Sequence, residues 1–419
     1  MGKVFIFFCL LLSSTLVHSQ SHQGLNHEDK ILLNKIDQSL SHDPYVSAVR
    51  SIFTYGPFPS LGVEFKKHFK KYKFIDQNTS RDINTYYSKY RRPLFENTRL
   101  KKRKKTLVVY FPGLFSNYPS ERFKHVAKEL KGKHKSSVLI LPNSFTGDFY
   151  NFTNVYPGSV RKDSRVYVAL IQAFLRENQQ YENLAFIGDS YGAFLSTAVL
   201  YHLPQSIPVR FSILTNPPID ILAAMENLDF GMSRTRKKYC SEKKLKQFVQ
   251  IVFETIRKGK EPISRGIGLV TKLLKSAEVG FYQLSFNAGL NEFYKEINNN
   301  SNQVISRLEE LHREEAYGNC QDYQAFISFD EYLNKIAPHL KIPARGNDRY
   351  LSGWVSKIKK RTPLYLFVNS KDKVSEPQLH NFRKQHPELI YTFKNGGHGS
   401  LIVHKNFYRI IESIFEKYL

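Results

Sequence analysis

Leu184-Ala185-Phe186-Ile187-Gly188-Asp189-Ser190-Tyr191-Gly192-Ala193-Phe194 is the stretch that decides how this sequence is read. Leu184 to Ile187 is a short apolar run of the kind that forms a buried strand, and Ala193 to Leu203 is largely apolar and compatible with a helix. Gly188 to Gly192 fits Gly-x-Ser-x-Gly, so the serine is expected on a tight strand-to-helix turn. The two glycines suit such a bend because a Cβ at either position would crowd it. The turn would present the hydroxyl of Ser190 at a helix N-terminus, where the helix dipole favours developing negative charge.

The surrounding chain supplies more strands of the same kind. Upstream, Leu107 to Phe111 and Val138 to Leu141 read as strands, with helices expected at Glu121 to Leu130 and Ser164 to Arg176. Tyr167, Leu170, Ile171, Phe174 and Leu175 form a helical stripe that reads as core packing. Downstream, Phe211 to Leu214 is another strand. Alternating strands and helices argue a mostly parallel, doubly wound α/β sheet with helices on both faces. A hairpin from Tyr72–Ile75 and Ile83–Tyr90, joined by a turn-rich connector, leads into it. The alternation stops between Ile219 and about Arg361, where Leu245–Ile256, Gly268–Leu274, Val304–Leu311 and Tyr332–Ile336 read as helical. It resumes with strands Leu364–Val368 and Leu389–Phe393 and a closing helix Phe407–Tyr418. The middle segment is therefore expected to be an inserted helical cap.

A serine hydroxyl needs a base within hydrogen-bond reach and a carboxylate to orient that base. Asp372 follows one strand end, and His398, in Gly396-Gly397-His398-Gly399, follows the next. The order Ser190, Asp372, His398 is the one that accompanies a serine on a strand-to-helix elbow. His404 lacks the glycine setting and is the weaker base. Asp220 follows the strand ending at Leu214 and competes for the acid role, with Asp372 favoured.

At these residues the sequence resembles the α/β-hydrolase superfamily, over roughly Leu107 to Pro217 and Pro363 to Leu419. The resemblance implies a serine hydrolase with Ser190 as nucleophile, His398 as general base and then acid, and Asp372 holding the imidazole. It also implies an oxyanion hole from two backbone N–H groups. One is that of Tyr191, and the other comes from the loop after Phe111, where Leu114 is preferred over Phe115. Many relatives carry His-Gly in that loop; this chain has Pro112-Gly113.

Composition bounds the rest. The chain has 419 residues, is 41% hydrophobic and carries a formal charge of +25, enough apolar content for a real core and enough charge to attract anionic partners. Lys66-Lys67, Lys70-Lys71, Lys101 to Lys105 and Arg236-Lys237-Lys238 contribute to it; the Lys101 run reads as a solvated linker. Lys3, the apolar run Val4 to Leu12 and Val17-His18-Ser19 follow the pattern of a secretory signal peptide. That run is shorter than the roughly 20 residues of a membrane span. An exported protein, secreted or periplasmic, is expected. Beyond the signal, Cys240 and Cys320 remain, and an oxidising compartment would permit them to pair. Asn78-Thr79-Ser80, Asn151-Phe152-Thr153 and Asn299-Asn300-Ser301 fit the glycosylation pattern. No His-Glu-x-x-His, cysteine-rich zinc pattern, phosphate loop or dinucleotide fingerprint occurs, so neither metal nor cofactor is expected.

The expected organisation is a signal peptide (1–19), an N-terminal extension with the leading hairpin (20–105), a first core part (106–218), the helical cap (219–361) and a second core part (362–419). The leading function is cleavage of a carboxylic ester through an acyl-enzyme. An amidase, peptidase or acyltransferase with the same triad, or a non-catalytic binding protein on this fold, are the alternatives. Expected partners are a small-molecule or lipid ester and an anionic membrane surface; nucleic acid is not among them.

Overall fold

The computed structural model describes residues 25–42, 70–75, 80–88, 106–114, 125–130, 136–153, 156–228, 329, 332–340, 346–402 and 404–418. The signal-peptide residues, the Lys101–Lys105 run, Cys240, Cys320, Asn78, Asn299 and the expected helices at 245–256, 268–274 and 304–311 lie outside them.

Eight strands form one sheet: β1 (Lys70–Ile75), β2 (Asp82–Ser88), β3 (Thr106–Phe111), β4 (Ser137–Ile140), β5 (Asn183–Asp189), β6 (Val209–Thr215), β7 (Leu364–Asn369) and β8 (Ile390–Phe393). Their spatial order is β1-β2-β4-β3-β5-β6-β7-β8. β2 pairs antiparallel with both β1 and β4, while the pairs from β4 through to β8 are all parallel. This order, with β2 alone reversed, is the α/β-hydrolase fold. The expected hairpin is β1–β2.

The sheet is buried on both faces, which explains why its strands read as apolar runs rather than alternating patterns. In β3, Leu107, Val109 and Phe111 join one core cluster, while Val108 and Tyr110 join the other. In β5, Leu184 and Phe186 face the first cluster and Ala185 and Ile187 the second. The second face is covered by α1 (His27–Ser39), α2 (residues 125–130) and α9 (Phe407–Tyr418), through Leu33, Ile36, Val126, Leu130, Ile410, Ile411 and Ile414. The first is covered by α3 (Gly147–Thr153), α4 (Val160–Glu177), α5 (Tyr191–His202), α6 (residues 221–228), α7 (Leu351–Ile358) and α8 (Leu379–Gln385). Every residue of α5 from Tyr191 to Leu200 is buried, so this helix is enclosed on all sides.

Three elements differ from the sequence expectation, among them α8, which that reading did not contain. α4 begins at Val160, a turn before Ser164. The Ser159 carbonyl accepts from the Asp163 N–H (2.8 Å), and the Asp163 carboxyl reaches back to the Gly158 N–H (3.0 Å), closing that first turn. α3 is a two-turn helix without a strong helix former. It forms because Phe149 and Phe152, three residues apart, bury on the same side.

The segment after β6 leaves and re-enters at one point. Asp220 bridges Tyr350, and the Leu351 N–H donates to the Ile219 carbonyl (2.9 Å). α7 then docks beside α5, with fully buried Trp354 donating its indole N–H to the Asp348 carbonyl (2.9 Å). No helix of the described residues is long and apolar enough to cross a membrane.

The centre of the sheet should carry the stability. Phe186 is fully buried and lies 5.0 Å, ring to ring, from Phe111. Phe186→Ala is expected to cost about 3–5 kcal/mol. Urea unfolding of the variant measures this; a loss below about 1 kcal/mol would mean the site collapses around the missing ring.

Candidate active site

The parallel strands β3, β5, β6, β7 and β8 end on one edge of the sheet, and the chemistry gathers there. Ser190 is the single residue between β5 and α5. Its backbone is held at φ 56° and ψ −130°, a region that non-glycine residues seldom enter. Three hydrogen bonds hold it. Its N–H donates to the Thr215 carbonyl (2.8 Å), and its carbonyl accepts from the N–H groups of Ala193 (3.0 Å) and Phe194 (3.3 Å). The flanking glycines are required by space. A Cβ on Gly188 would stand 2.4 Å from the Ala193 Cα, and one on Gly192 would stand 2.3 Å from the carbonyl oxygens of Phe111 and Pro112.

The three side chains singled out in the sequence meet. His398 Nε2 lies 2.7 Å from Ser190 Oγ, and His398 Nδ1 lies 2.7 Å from Asp372 Oδ2. The carboxylate can only accept, so the proton sits on Nδ1 and leaves Nε2 as the acceptor facing the serine. Asp372 is itself fixed: Oδ1 accepts from the Val374 N–H (2.9 Å) and Oδ2 from the Ser375 hydroxyl (3.1 Å). Asp372 and His398 are both buried, at 2% and 8% exposure, which removes competing water from the pair.

The competitors are engaged elsewhere. Asp220 Oδ1 accepts from the Ala223 N–H (3.2 Å), and Oδ2 lies 3.4 Å from Arg349 Nε. His404 Nε2 pairs with the Ser39 hydroxyl (2.8 Å), and burial lowers its pKa.

Tyr191 directly follows Ser190, and Leu114 follows Gly113, which packs against Ser190. Tyr191 opens α5, where a backbone N–H has no intrahelical acceptor. The Pro112-Gly113-Leu114 loop passes close by, since a Cβ on Gly113 would lie 3.0 Å from Ser190 Cβ and 3.6 Å from its Oγ. Phe115 lies outside the described residues. The sequence reading missed Asn143. Its side-chain amide donates to the Gly113 carbonyl, and its Oδ1 accepts from the Phe145 N–H (2.8 Å). Gly113 C=O and Leu114 N–H share one planar peptide, so fixing the first orients the second.

A second missed group is the amide frame under the His398 loop. Asn369, fully buried at the end of β7, accepts through Oδ1 from Asn216 Nδ2 (3.0 Å) and from the Ser400 hydroxyl (3.3 Å). Its Nδ2 donates to the Asn395 carbonyl (2.6 Å), and its own N–H donates to Asn216 Oδ1 (3.0 Å). A Cβ on Gly396, whose φ is +87°, would lie 2.6 Å from Asn369 Nδ2, so only glycine lets the loop close onto this frame. The N-terminal segment grips the loop from outside. Asp37 accepts from the Asn395 N–H (2.9 Å), and the Ser41 carbonyl accepts from the Gly396 N–H (2.8 Å).

Behind Tyr191 lies a buried polar cluster. Asp163 is 2% exposed, and loss of solvation pushes its carboxyl up to about 7. The Tyr191 hydroxyl lies beside this carboxyl, and Ser144 Oγ lies beside the Tyr191 hydroxyl. Among the described residues no cluster of His, Cys, Asp and Glu could hold a metal ion.

Neither a family model nor a curated protein matches the sequence. Solved structures do resemble it. The acylaminoacyl peptidase of Pyrococcus horikoshii aligns at 15% identity and TM-score 0.43 over 85% of this chain and 43% of the peptidase, so the chain spans less than half the peptidase's length. A Pyrococcus furiosus esterase aligns at 11% identity and TM-score 0.43 over 85% of this chain and 92% of its own. Carboxyl esterase 2 of Tuber melanosporum aligns at 14% identity and TM-score 0.40 over 84% and 87%.

Two predictions test the surroundings of the site. Asn369→Ala removes three side-chain hydrogen bonds from a buried frame and should cost about 1–3 kcal/mol in urea unfolding. It should also lower turnover more than substrate affinity, because the His398 loop loses its floor. Unchanged kinetics would show that the loop is held from outside alone. The second concerns Asp163. Its folded pKa is raised, so its contribution to stability is fully present below about pH 4 and is lost as pH rises through about 7. Asp163→Asn cannot ionise. Its stability relative to wild type should therefore rise between pH 4 and pH 7, as followed by urea midpoints. A relative fall over that range would show that the protein stabilises the carboxylate.

Proposed function

We propose that the chain is an exported serine hydrolase that cleaves a carboxylic ester through an acyl-enzyme intermediate. The observation that supports it most directly is the unbroken hydrogen-bonded series Ser190 Oγ, His398 Nε2, His398 Nδ1, Asp372 Oδ2, with both contacts at 2.7 Å. In this reading His398 Nε2 takes the hydroxyl proton as Ser190 Oγ attacks the ester carbonyl. Asp372 holds the imidazole in the tautomer that can accept and stabilises the imidazolium that forms. The carbonyl oxygen, now negative, receives the N–H groups of Tyr191 and Leu114. Collapse of the tetrahedral species breaks the bond to the leaving alkoxide, which takes the proton back from His398. Water then enters, gives its proton to His398 and attacks the acyl group, and Ser190 leaves with the proton.

The strained turn and the buried Asp372–His398 pair are costly features for a protein that only binds. That favours chemistry over the non-catalytic alternative. Export is supported by the signal-like N-terminus alone, and the charge of +25 is consistent with docking at an anionic membrane surface.

Ser190→Ala should abolish turnover and fluorophosphonate labelling together, and Asp372→Asn should lower turnover by about 10⁴-fold. Labelling is followed on intact protein by mass spectrometry, and turnover on matched ester and amide substrates. Label retained by Ser190→Ala would move the nucleophile elsewhere. Faster cleavage of the amide would turn the reading to a peptidase or amidase.

A further inference from the structure

The loop that carries His398 is held from outside by a part of the chain that the triad does not use. Asn395, just upstream of His398 and 9% exposed, is the joint. Its carbonyl turns inward to Asn369 Nδ2 (2.6 Å), and its other polar groups turn to the N-terminal segment. The Asn395 N–H donates to Asp37 Oδ1 (2.9 Å), and Nδ2 donates to the Asp37 carbonyl (3.0 Å). Oδ1 is left as an acceptor, and His42 donates to it through Nδ1. The neighbouring Gly396 N–H donates to the Ser41 carbonyl (2.8 Å).

Asp37 is more than an ordinary surface tie. It lies in the last turn of α1, where a carboxylate opposes the helix dipole, so the helix gains nothing from it. Its carboxylate and its carbonyl together hold the main chain and the side chain of Asn395, which fixes where that residue sits and how it is turned. The apolar side of α1 presses on the same loop. A Cβ on Gly396 would stand 3.0 Å from Leu40 Cδ1, and Leu33, Ile36 and Leu40 share a core cluster with Phe393, Leu401 and Ile402. The segment also reaches the loop of the acid, since Lys371, next to Asp372, donates through Nζ to the His42 carbonyl (3.1 Å). His398 has to keep both ring nitrogens 2.7 Å from their partners. A reacting group misplaced by about 1 Å can lose on the order of 10²-fold in rate.

We propose that Asp37 is a positioning residue for His398: it holds Asn395, and through it the loop that carries the base, so that the N-terminal segment completes the reacting site. The inference rests on the hydrolase reading for the reaction it supports, but the placement of His398 can be measured without turnover.

The test compares Asp37→Ala, which removes the side-chain acceptor, with Asp37→Asn, which keeps one. On a 4-nitrophenyl ester, kcat should fall about 10–100-fold in Asp37→Ala with KM little changed, and Asp37→Asn should recover most of it. Asn34→Ala removes the tie between the Tyr391 hydroxyl and the same helix (3.0 Å) and none of the bonds to Asn395 or Gly396, so it should keep the wild-type kcat. Urea midpoints establish that each variant is folded in the assay. His42→Ala, which takes a different bond from Asn395, carries the comparison where Asp37→Ala does not fold. Without substrate, the Nδ1 proton of His398 is followed as a low-field NMR resonance, assigned by its loss in His398→Ala. It should broaden or vanish in Asp37→Ala and persist in Asp37→Asn. An unchanged kcat in Asp37→Ala overturns the proposal. So does an equal loss in Asn34→Ala, which would mark α1 as packing alone, and so does an Asp37→Asn variant as slow as Asp37→Ala. A wild type that shows the resonance and its loss in Asp37→Ala, yet neither cleaves esters nor takes a fluorophosphonate, would sustain the positioning and refute the hydrolase reading instead.

Discussion

The turn at Ser190 is the constraint on which the rest of the structure depends. A non-glycine residue at φ 56° and ψ −130° costs on the order of 1–3 kcal/mol, and such a conformation persists only where its surroundings over-determine it. Here they do. β5 is buried along its whole length, α5 is enclosed through Leu200, and Gly188 and Gly192 remove the two Cβ atoms that would collide with neighbouring backbone. Thr215 joins from the next strand, accepting the Ser190 N–H at its carbonyl and donating its hydroxyl to the Asp189 carboxylate (3.0 Å). The hydrophobic core thus fixes a local geometry that the local sequence would not choose by itself.

The same division of labour holds for the other members of the site. Each sits just past a strand end, so the parallel sheet sets their positions to within the length of a short loop. The final ångström is set by polar side chains. Val374 and Ser375 hold Asp372, Asn143 orients the Gly113 peptide, and Asn369 with Asn216 carries the His398 loop. Buried hydrogen bonds of this kind contribute modestly to net stability, but leaving one unmade costs more than the bond supplies. Their effect is to reject alternative loop positions.

What the sequence revealed and what it hid separate along this line. The elbow, the strands beside it and the order Ser190, Asp372, His398 are local patterns: an apolar run, a glycine pair, a polar residue after a strand. They could be read without a structure. Asn143 and Asn369 could not, because their partners lie far along the chain and a single asparagine in a loop carries no period or motif. Asn216 and Asn369 are separated by 153 positions, and Asp37 and Asn395 by 358. The role of α1 was hidden for the same reason. Its sequence reads only as a mildly helical stretch through Ile31, Leu32, Leu33 and Ile36, while Asp37 near its end and Ser41 and His42 just beyond it grip the His398 loop. α3 escaped because burial of two phenylalanines, not helix propensity, makes it form. Asp220 was a fair rival from sequence, since it too follows a strand. Only its contacts with Ala223 and Arg349 reveal where its charge is spent.

The inner frame around His398 has a further property. Asn216, Asn369, Asn395 and Ser400 are neutral donors and acceptors, so the loop is held without placing another charge against the Asp372–His398 pair. A lysine or carboxylate in that position would have to be desolvated, and it would also bias the charge that His398 is proposed to gain and lose. An amide does neither: it offers both a donor and an acceptor, and it does not titrate. The buried carboxylate of Asp220 is met elsewhere, by Arg349 at 3.4 Å. That ion pair is carried by the chain after β6 and the turn before α7, and the Ser190–His398–Asp372 series by the chain just past β5, β7 and β8.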